Sequence, residues 1–201
     1  MVYVGILGRL KEGYGKNTYF CGMSPIVRLR LYIRHLLTAK TRHGTHSPFV
    51  YRLLERAIYA AKPRLAGATR AERLALALQA DRACQSILLV GEFSIPFAKR
   101  IAAAAAVQQV ASLADTLPTG DRFDLVFCQG PWAGGATEEL DHVLHEGSAV
   151  LLAPLYRTSS TRQCWEALVA WERTTVSIDL FHAGLAFFHA GQAKEHFRIR
   201  G

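Results

Sequence analysis

The second half of the sequence alternates short apolar runs with helical patterns, and this alternation restricts the fold more than any other feature. "SILLV" at residues 86–90 is a continuous apolar run, typical of a strand covered on both faces. A helical pattern follows in "IPFAKRIAAAAA", and further strands and a helix follow in "RFDLVFCQG", "SAVLLAPL" and "TRQCWEALVAWE". Strands that alternate with helices form parallel sheets. We therefore predict an α/β domain over residues 83–201.

Three weaker patterns complete the predicted sheet. "QQVAS" indicates a short strand, and "ATEELDHVLHEG" indicates a helix closed by Gly147. "TTVSIDLF" and "LAFFHA" flank a turn that contains Gly184, which predicts a closing antiparallel hairpin. The sheet should be mostly parallel, with its one reversed strand at the edge.

The region before this domain predicts helices. Ser24-Pro25 and Ser47-Pro48 each combine a serine N-cap with a proline in the first turn, so helices should begin there. "ATRAERLALALQAD" is rich in alanine and leucine and predicts a third helix. We predict a basic helical extension over residues 23–82. Residues 1–22 lack periodicity, and we expect them to be disordered or a spurious extension ahead of a natural start at Met23.

The charge is uneven along the chain. Residues 1–82 hold 15 Lys or Arg against 4 Asp or Glu, whereas the remainder holds 9 against 12. The basic residues of the first two helices and their connection are Arg28, Arg30, Arg34, Lys40, Arg42, Arg52 and Arg56. They could be a solvated face or a cap on the sheet, a surface for nucleic acid or an acidic partner, or a dimer contact.

The first helix, over about residues 25–39, allows one more interpretation. Its apolar side chains share one face, and its arginines lie elsewhere around the helix. That apolar set is Ile26, Leu29, Ile33, Leu36 and Leu37. Basic residues flanking an apolar stripe also suit a membrane surface.

Composition excludes several other classes of protein. Cys21, Cys84, Cys128 and Cys164 are scattered, which does not indicate a disulfide framework or a zinc site. The longest apolar runs are far too short to cross a membrane, and the start lacks a secretory signal. We expect reduced, buried thiols in a cytoplasmic protein.

Two blocks of sequence carry a family resemblance. "RHGTHSPFVYRLLERAI" and "TTVSIDLFHAGLAFFHAGQAKEHFRIR" resemble the front and the closing hairpin of bacterial class I methyltransferase-like proteins, many from the Bacteroidetes group. "RFDLVFCQG" stands where that family has a strand ending in Phe-Ile-Asp-Gly. The resemblance runs from Met23 to the end, and it implies a Rossmann-like fold that binds S-adenosylmethionine. By that resemblance, Gly91, Glu92, Gln129 and Gly130 are the cofactor-binding candidates.

The sequence departs from that family at its chemistry. The family has two glycines after the first strand, but here "VGEFSIP" keeps only Gly91. The side chain of Phe93 should occupy space that a ligand would need. Pro96 reads more simply as the first turn of a helix. Residues 107–121 are too few for the usual helix and two strands, so one strand-helix unit and its ribose-binding acid should be missing. Asp115, an acid in that segment, belongs more simply to a loop.

The metal carboxylates of related O-methyltransferases are also replaced, by Gln129 and by "APLYRTS", in which Tyr156 is a poor ligand. No metal site is expected there. His43 and His46 read as turn residues, and His142 and His145 as histidines near a helix terminus. Of Trp165 and Trp171, at least one should pack on the sheet.

These departures predict a methyltransferase-like protein with an eroded S-adenosylmethionine site and weak or no catalysis. The first alternative is an active methyltransferase that uses Gly91, Glu92 and the "CQG" turn and acts on an unknown acceptor by proximity. A second alternative is a binding module for nucleic acid or an acidic partner, formed by the basic front.

Overall fold

A seven-stranded mixed sheet organises the chain. The computed structural model describes residues 22–41, 47–59, 65–110, 117–132 and 137–200. The strands are β1 Ser86–Val90, β2 Ala106–Val110, β3 Phe123–Gln129, β4 Leu144–Ala153, β5 Val176–Asp179, β6 Gly184–Phe187 and β7 Glu195–Arg198. Their order across the sheet is β2-β1-β3-β4-β6-β5-β7. All pairs are parallel except the two that β6 makes with β4 and β5. The predicted α/β fold, mostly parallel with a closing antiparallel hairpin, is confirmed.

The helices begin where the capping residues predicted. They are α1 Pro25–Thr38, α2 Pro48–Leu53, α3 Arg70–Arg82, α4 Ile95–Ala102, α5 Thr137–Asp141 and α6 Ser159–Ala170. A π-helical turn, Leu54–Ile58, continues α2. Proline occupies the first turn of α1, α2 and α4, where its missing N–H costs no hydrogen bond. Pro96 therefore serves as a helix-start residue, as expected.

Side chains of each central strand alternate between two cores. Ile87 and Leu89 of β1 lie in the core under α2, α3 and α4, whereas Leu88 and Val90 lie in the core under α5 and α6. A strand covered on both faces needs apolar residues at every position, which accounts for the unbroken "SILLV" run.

The reversed strand is interior, so its predicted place at the edge was wrong. β6 lies between β4 and β5, and β7 pairs in parallel with the outer side of β5. The sequence of β7, "EHFR", gave no strand signal, because only Phe197 among its four residues is buried. An edge strand exposes most of its side chains, which removes the apolar pattern that marks an interior strand.

The helix predicted to end at Gly147 is also shorter than expected. α5 ends at Asp141, and β4 already begins at Leu144. A shift in pairing between Phe123 and Leu125 of β3 marks an irregularity here. The Ser148 hydroxyl accepts from the His145 amide at 2.8 Å and donates to the Phe123 carbonyl at 2.7 Å. His142 and His145 therefore do not share a helix.

The connection from β2 to β3 is short, as predicted. Twelve residues, 111–122, separate the two strands, and the described ones, 117–122, are neither helix nor strand. A parallel crossover with its own strand needs more chain than this. β2 is accordingly at the edge of the sheet. The strand-helix unit expected to be missing has no room in this segment.

The two tryptophans of the α6 region have different surroundings. Trp165 is buried and covers Gly184 at the start of β6, where an added Cβ would lie 2.6 Å from the indole ring. Trp171 follows α6 and makes an edge contact with Phe188. One tryptophan thus packs on the sheet, as predicted.

Helix α1 is attached to the rest of the protein by its ends and by one side. The Met23 amide donates to the Arg157 carbonyl, and the Lys40 amide donates to the Arg198 carbonyl. His35 is the one described α1 residue that is buried. The predicted apolar face does not pack on the protein, since Ile26 and Leu37 are 79% and 80% exposed. None of the helices in the described part of the chain has the length and hydrophobicity that a bilayer crossing requires.

Candidate functional site

The candidate cofactor residues lie at the carboxyl edge of the parallel strands. Gly91 and Glu92 follow β1, and Gln129 and Gly130 end and follow β3, its neighbour in the sheet. The pairing of Val90 with Cys128 brings Gly91 beside Gln129. The Gly130 amide donates to the Ala153 carbonyl of β4 at 2.9 Å. The four candidates therefore lie at the edge where ligands of open α/β sheets bind.

Gly91 is used for contact within the chain. Its φ of +111° is open to glycine and strained for other residues. A Cβ at this position would lie 3.0 Å from the Gln129 carbonyl oxygen and 3.3 Å from the Gln129 Cβ. The close approach that glycine permits is therefore made to the end of β3.

Phe93 occupies the space beside this turn. Its ring contacts Phe127 of β3 with ring centroids 4.8 Å apart, and Phe97 of α4 at 5.5 Å. These contacts join Phe93 to the core under α2, α3 and α4. Glu92, in contrast, is exposed. Of the four candidates, Gly91, Gln129 and Gly130 come together at one point, and the Glu92 side chain faces solvent.

A buried carboxylate that the sequence analysis did not single out lies at this turn. Glu72 of α3 is fully buried. Its Oε1 accepts from the Ser94 amide at 2.6 Å, and its Oε2 accepts from the Ser94 hydroxyl at 3.0 Å. It also accepts from the Thr69 amide at 2.6 Å, which closes a capping box with Thr69. Glu72 therefore supplies an internal anion to the start of α4, where backbone amides in a binding fold are available to a ligand.

A second buried carboxylate ends β5. Asp179 is 1% exposed and accepts from the Tyr156 hydroxyl at 2.6 Å and from the Phe181 amide at 2.8 Å. The guanidinium of Arg198 lies 3.9 Å from its Oδ2. Burial alone raises the pKa of the Asp179 carboxyl, but the His35 ring, the Tyr156 hydroxyl and the Phe181 amide outweigh burial, and the pKa is lowered. Burial, then the negative charge and hydrogen bond of Asp179, raise the pKa of the Tyr156 hydroxyl, which stays a donor.

His35 joins α1 to this carboxylate. Its Nδ1 lies 3.6 Å from Asp179 Oδ1, and its Nε2 lies 3.2 Å from the Ile199 carbonyl oxygen. Nε2 is within hydrogen-bond distance of that carbonyl, whereas Nδ1 approaches the carboxylate from beyond hydrogen-bond distance. This buried pair fixes the orientation of α1 relative to the sheet.

Aromatic rings and an open groove adjoin this cluster. Phe181, whose φ of +67° is unusual for a non-glycine residue, stacks on Tyr156 with centroids 4.9 Å apart. Tyr32 of α1 makes an edge contact with Phe181, with ring centroids 4.9 Å apart. A groove of about 420 Å³ lies here, lined by Met23, Pro25, Arg28, Leu29, Tyr32 and Phe181. None of the four cofactor candidates lines it.

The other candidates are structural or fall outside the described residues. His43, His46, Arg42, Asp115 and Cys21 lie outside them. His142 is exposed, and His145 Nε2 lies 3.1 Å from Asp124 at the amino end of β3. Cys84, Cys128 and Cys164 are buried with free thiols, and burial raises the pKa of each. Across the described ranges, no group of three or more His, Cys, Asp or Glu residues is arranged to hold a metal ion.

Asp179 and Glu72 were missed for different reasons. Asp179 is the one acid in the apolar run "VSIDLF", and a lone acid in a buried strand indicates a partnered carboxylate. That signal was available in the sequence. Glu72 occurs in "TRAE", which reads as an ordinary capping box on an exposed helix start. Its contact with Ser94 depends on how α3 packs against α4, which no local pattern predicts.

Comparison with known proteins gives a weak structural likeness and no match in sequence. No protein-family model matches the chain, and no curated protein matches it. A crystal structure of a proposed O-methyltransferase from Klebsiella pneumoniae is similar at 17% identity and a TM-score of 0.40, covering 82% of this chain and 97% of that one. A likeness at that TM-score assigns no activity to this chain.

Proposed function

We propose that this chain is a methyltransferase-like binding protein whose cofactor site is filled by its own residues. It binds S-adenosylmethionine weakly or not at all, and it acts through a partner surface on its N-terminal helices. This proposal rests on two contacts made by the turn that follows β1. Gly91 lies against Gln129, and the Ser94 amide donates to Glu72.

Each contact removes something a cofactor needs. Glycine in a ligand-binding turn lets the backbone come close to the ligand. Here the carbonyl of Gln129 occupies the space next to Gly91 instead. Amides at a helix start favour an anion, but Glu72 supplies one from α3. Phe93 fills adjacent volume with a side chain anchored by two other rings. A ligand would have to displace a buried carboxylate and an aromatic contact together.

Isothermal titration with S-adenosylmethionine and with S-adenosylhomocysteine tests the proposal. We expect no saturable heat at micromolar concentrations, which corresponds to a binding free energy weaker than about −8 kcal/mol. Thermal unfolding of the same sample shows whether the protein is folded, and neither ligand should raise the midpoint measurably.

A matched pair of variants distinguishes this proposal from the alternative of an active enzyme. That alternative uses the exposed carboxylate of Glu92, so Glu92→Gln should weaken binding while Glu138→Gln, an exposed carboxylate on α5, should not. Micromolar binding that Glu92→Gln weakens would overturn the proposal in favour of an active site at the β1 turn. Micromolar binding that neither variant changes would overturn it as well and move the cofactor elsewhere.

A further inference from the structure

Helix α1 is amphipathic, but its apolar face is exposed to solvent, whereas an ordinary surface helix buries that face. Its apolar side chains at positions 26, 29, 33 and 37 repeat at the three- and four-residue spacing of one helix face. Ile26, Leu29, Ile33 and Leu37 are 79%, 58%, 49% and 80% exposed. The buried residue of the helix, His35, points to the protein from the opposite side. The stripe therefore faces away from the core.

This orientation is fixed by specific contacts at the opposite side of α1. His35 is held between Asp179 and the Ile199 carbonyl, and Tyr32 packs edge-on against Phe181. Arg200 donates to the Leu36 carbonyl at 2.8 Å. Turning the stripe toward the sheet would break the His35–Asp179 pair and expose a buried carboxylate. The exposed stripe is thus a feature of the folded protein, and exposed apolar patches of this kind mark interaction surfaces.

The charge around the stripe indicates what covers it. Arg30 and Arg34 flank one edge of the stripe, whereas Arg28 lies on the side of α1 that borders the groove beside Phe181. All three are exposed, and α1 contains no acidic residue. A second copy of the chain, packed stripe to stripe, would bring these arginines near their own equivalents with no acid in the helix to pair them. Like charges at an interface oppose association.

A nucleic acid fits the arginines but not the stripe, because phosphates give no apolar surface on which to bury four aliphatic side chains. An anionic bilayer fits both: the aliphatic side chains enter the acyl boundary, and Arg30 and Arg34 beside them reach the phosphates. Tyr32, 42% exposed beside the stripe, is a residue type that favours the headgroup level. We propose that α1 is an interfacial helix that docks the protein on an anionic lipid surface.

This proposal deepens the proposed function by naming the partner of its N-terminal surface, and it rests on α1 alone, not on the cofactor site. The two therefore fail separately. Titration with S-adenosylmethionine decides the state of the β1 turn, and vesicle binding decides the role of α1.

Vesicle flotation with the full chain tests the docking. The vesicles are phosphatidylcholine alone and an equal mixture of phosphatidylcholine and phosphatidylglycerol. We expect binding to the anionic vesicles, weakened by salt, and little binding to the neutral ones. The double variant Ile26→Ser/Leu37→Ser should lower the partition coefficient by about tenfold or more. Arg30→Gln/Arg34→Gln should lower it about fivefold per arginine.

Matched controls lie on α4. Ile95→Ser removes another exposed aliphatic side chain, and Lys99→Gln/Arg100→Gln removes two other exposed positive charges. Neither should change vesicle binding by more than about twofold. Since all these positions are exposed, the variants should fold, and thermal unfolding checks this.

Several results would overturn the proposal. Absence of binding to anionic vesicles would do so, as would binding that the Ile26→Ser/Leu37→Ser variant retains. A dimer in light scattering that this variant dissociates, without vesicle binding, would assign the stripe to a second copy instead.

Discussion

The Tyr156 hydroxyl donates a 2.6 Å hydrogen bond to Oδ2 of Asp179, joining the carboxyl ends of β4 and β5 across the start of the reversed strand β6. The carboxylate also receives the Phe181 amide and faces the His35 ring of α1. A single buried acid therefore connects two strands, a loop and the N-terminal helix. Such a buried charge is tolerated because its partners compensate for the lost hydration.

Asp179→Asn should destabilise the protein in a pH-dependent way. The folded-state pKa of Asp179 is lowered, and its unfolded-state value is about 3.9. The ionised carboxylate therefore stabilises the fold above about pH 4, and that contribution is lost as pH falls through the lower folded value. We expect a loss of about 2–4 kcal/mol at pH 7, measured by urea unfolding. The difference between variant and wild type should shrink below about pH 4.

Asp121→Asn is the matched control, because Asp121 is an exposed acid in the loop before β3. It should change stability by less than about 0.5 kcal/mol at each pH. A loss for Asp179→Asn that stays constant down to strongly acidic pH would contradict a role for the ionised carboxylate.

Gly91→Ala should be more destabilising than Gly120→Ala. The two glycines have similar φ values, +111° and +101°, so alanine meets similar backbone strain at both. Only Gly91 has a neighbour in the way, the Gln129 carbonyl oxygen at 3.0 Å, whereas nothing lies within 4 Å of a Cβ at position 120. We expect about 1–2 kcal/mol from strain at both sites and a further 1–3 kcal/mol at Gly91, by chemical denaturation. Equal losses would show that β1 and β3 separate easily at this point, leaving space for a ligand.

The sequence predicted the parts of the fold that depend on local patterns. The unbroken apolar run of β1 and the Ser-Pro starts of α1 and α2 come from burial on two faces and from capping, both of which act over a few residues. The pairing of β7 and the interior position of β6 depend on which edge of the sheet is unpaired once the hairpin has formed. Local patterns do not specify that edge. The exposed stripe of α1 depends on distant partners such as Asp179 and Phe181, which no periodicity indicates.

The candidate site also has features that the sequence predicts and features that depend on tertiary packing. Adjacent parallel strands put Gly91 near Gln129 and Gly130, and this follows from strand order alone. The hydrogen bond from Ser94 to Glu72, in contrast, joins residues that are 22 positions apart in sequence. The orientation of Glu92 toward solvent likewise depends on packing of the β1 turn.

Glu72→Ala should be strongly destabilising because it leaves two backbone amides without their acceptor. The Thr69 and Ser94 amides both donate to this buried carboxylate at 2.6 Å. Each unsatisfied donor costs about 1–3 kcal/mol, so a total of about 2–6 kcal/mol is expected by urea unfolding. Glu72→Gln retains one carbonyl oxygen and should lose less than Glu72→Ala. Glu138→Ala, at an exposed position in α5, should be close to neutral, and a comparable loss there would point to helix propensity instead.

Gly184→Ala should disturb the packing of α6 on the sheet. A Cβ at position 184 would lie 2.6 Å from ring carbons of Trp165, which is 3% exposed and has little space to move. Overpacking of this kind costs about 1–3 kcal/mol. In the double variant Gly184→Ala/Trp165→Leu, the smaller side chain makes room, so the combined loss should be at least about 0.5 kcal/mol below the sum of the single losses. Gly22→Ala, where nothing lies within 4 Å, is the control that should leave stability unchanged. Additive losses in this cycle would mean that the indole moves aside freely, and the contact between α6 and β6 would then not fix the position of the reversed strand.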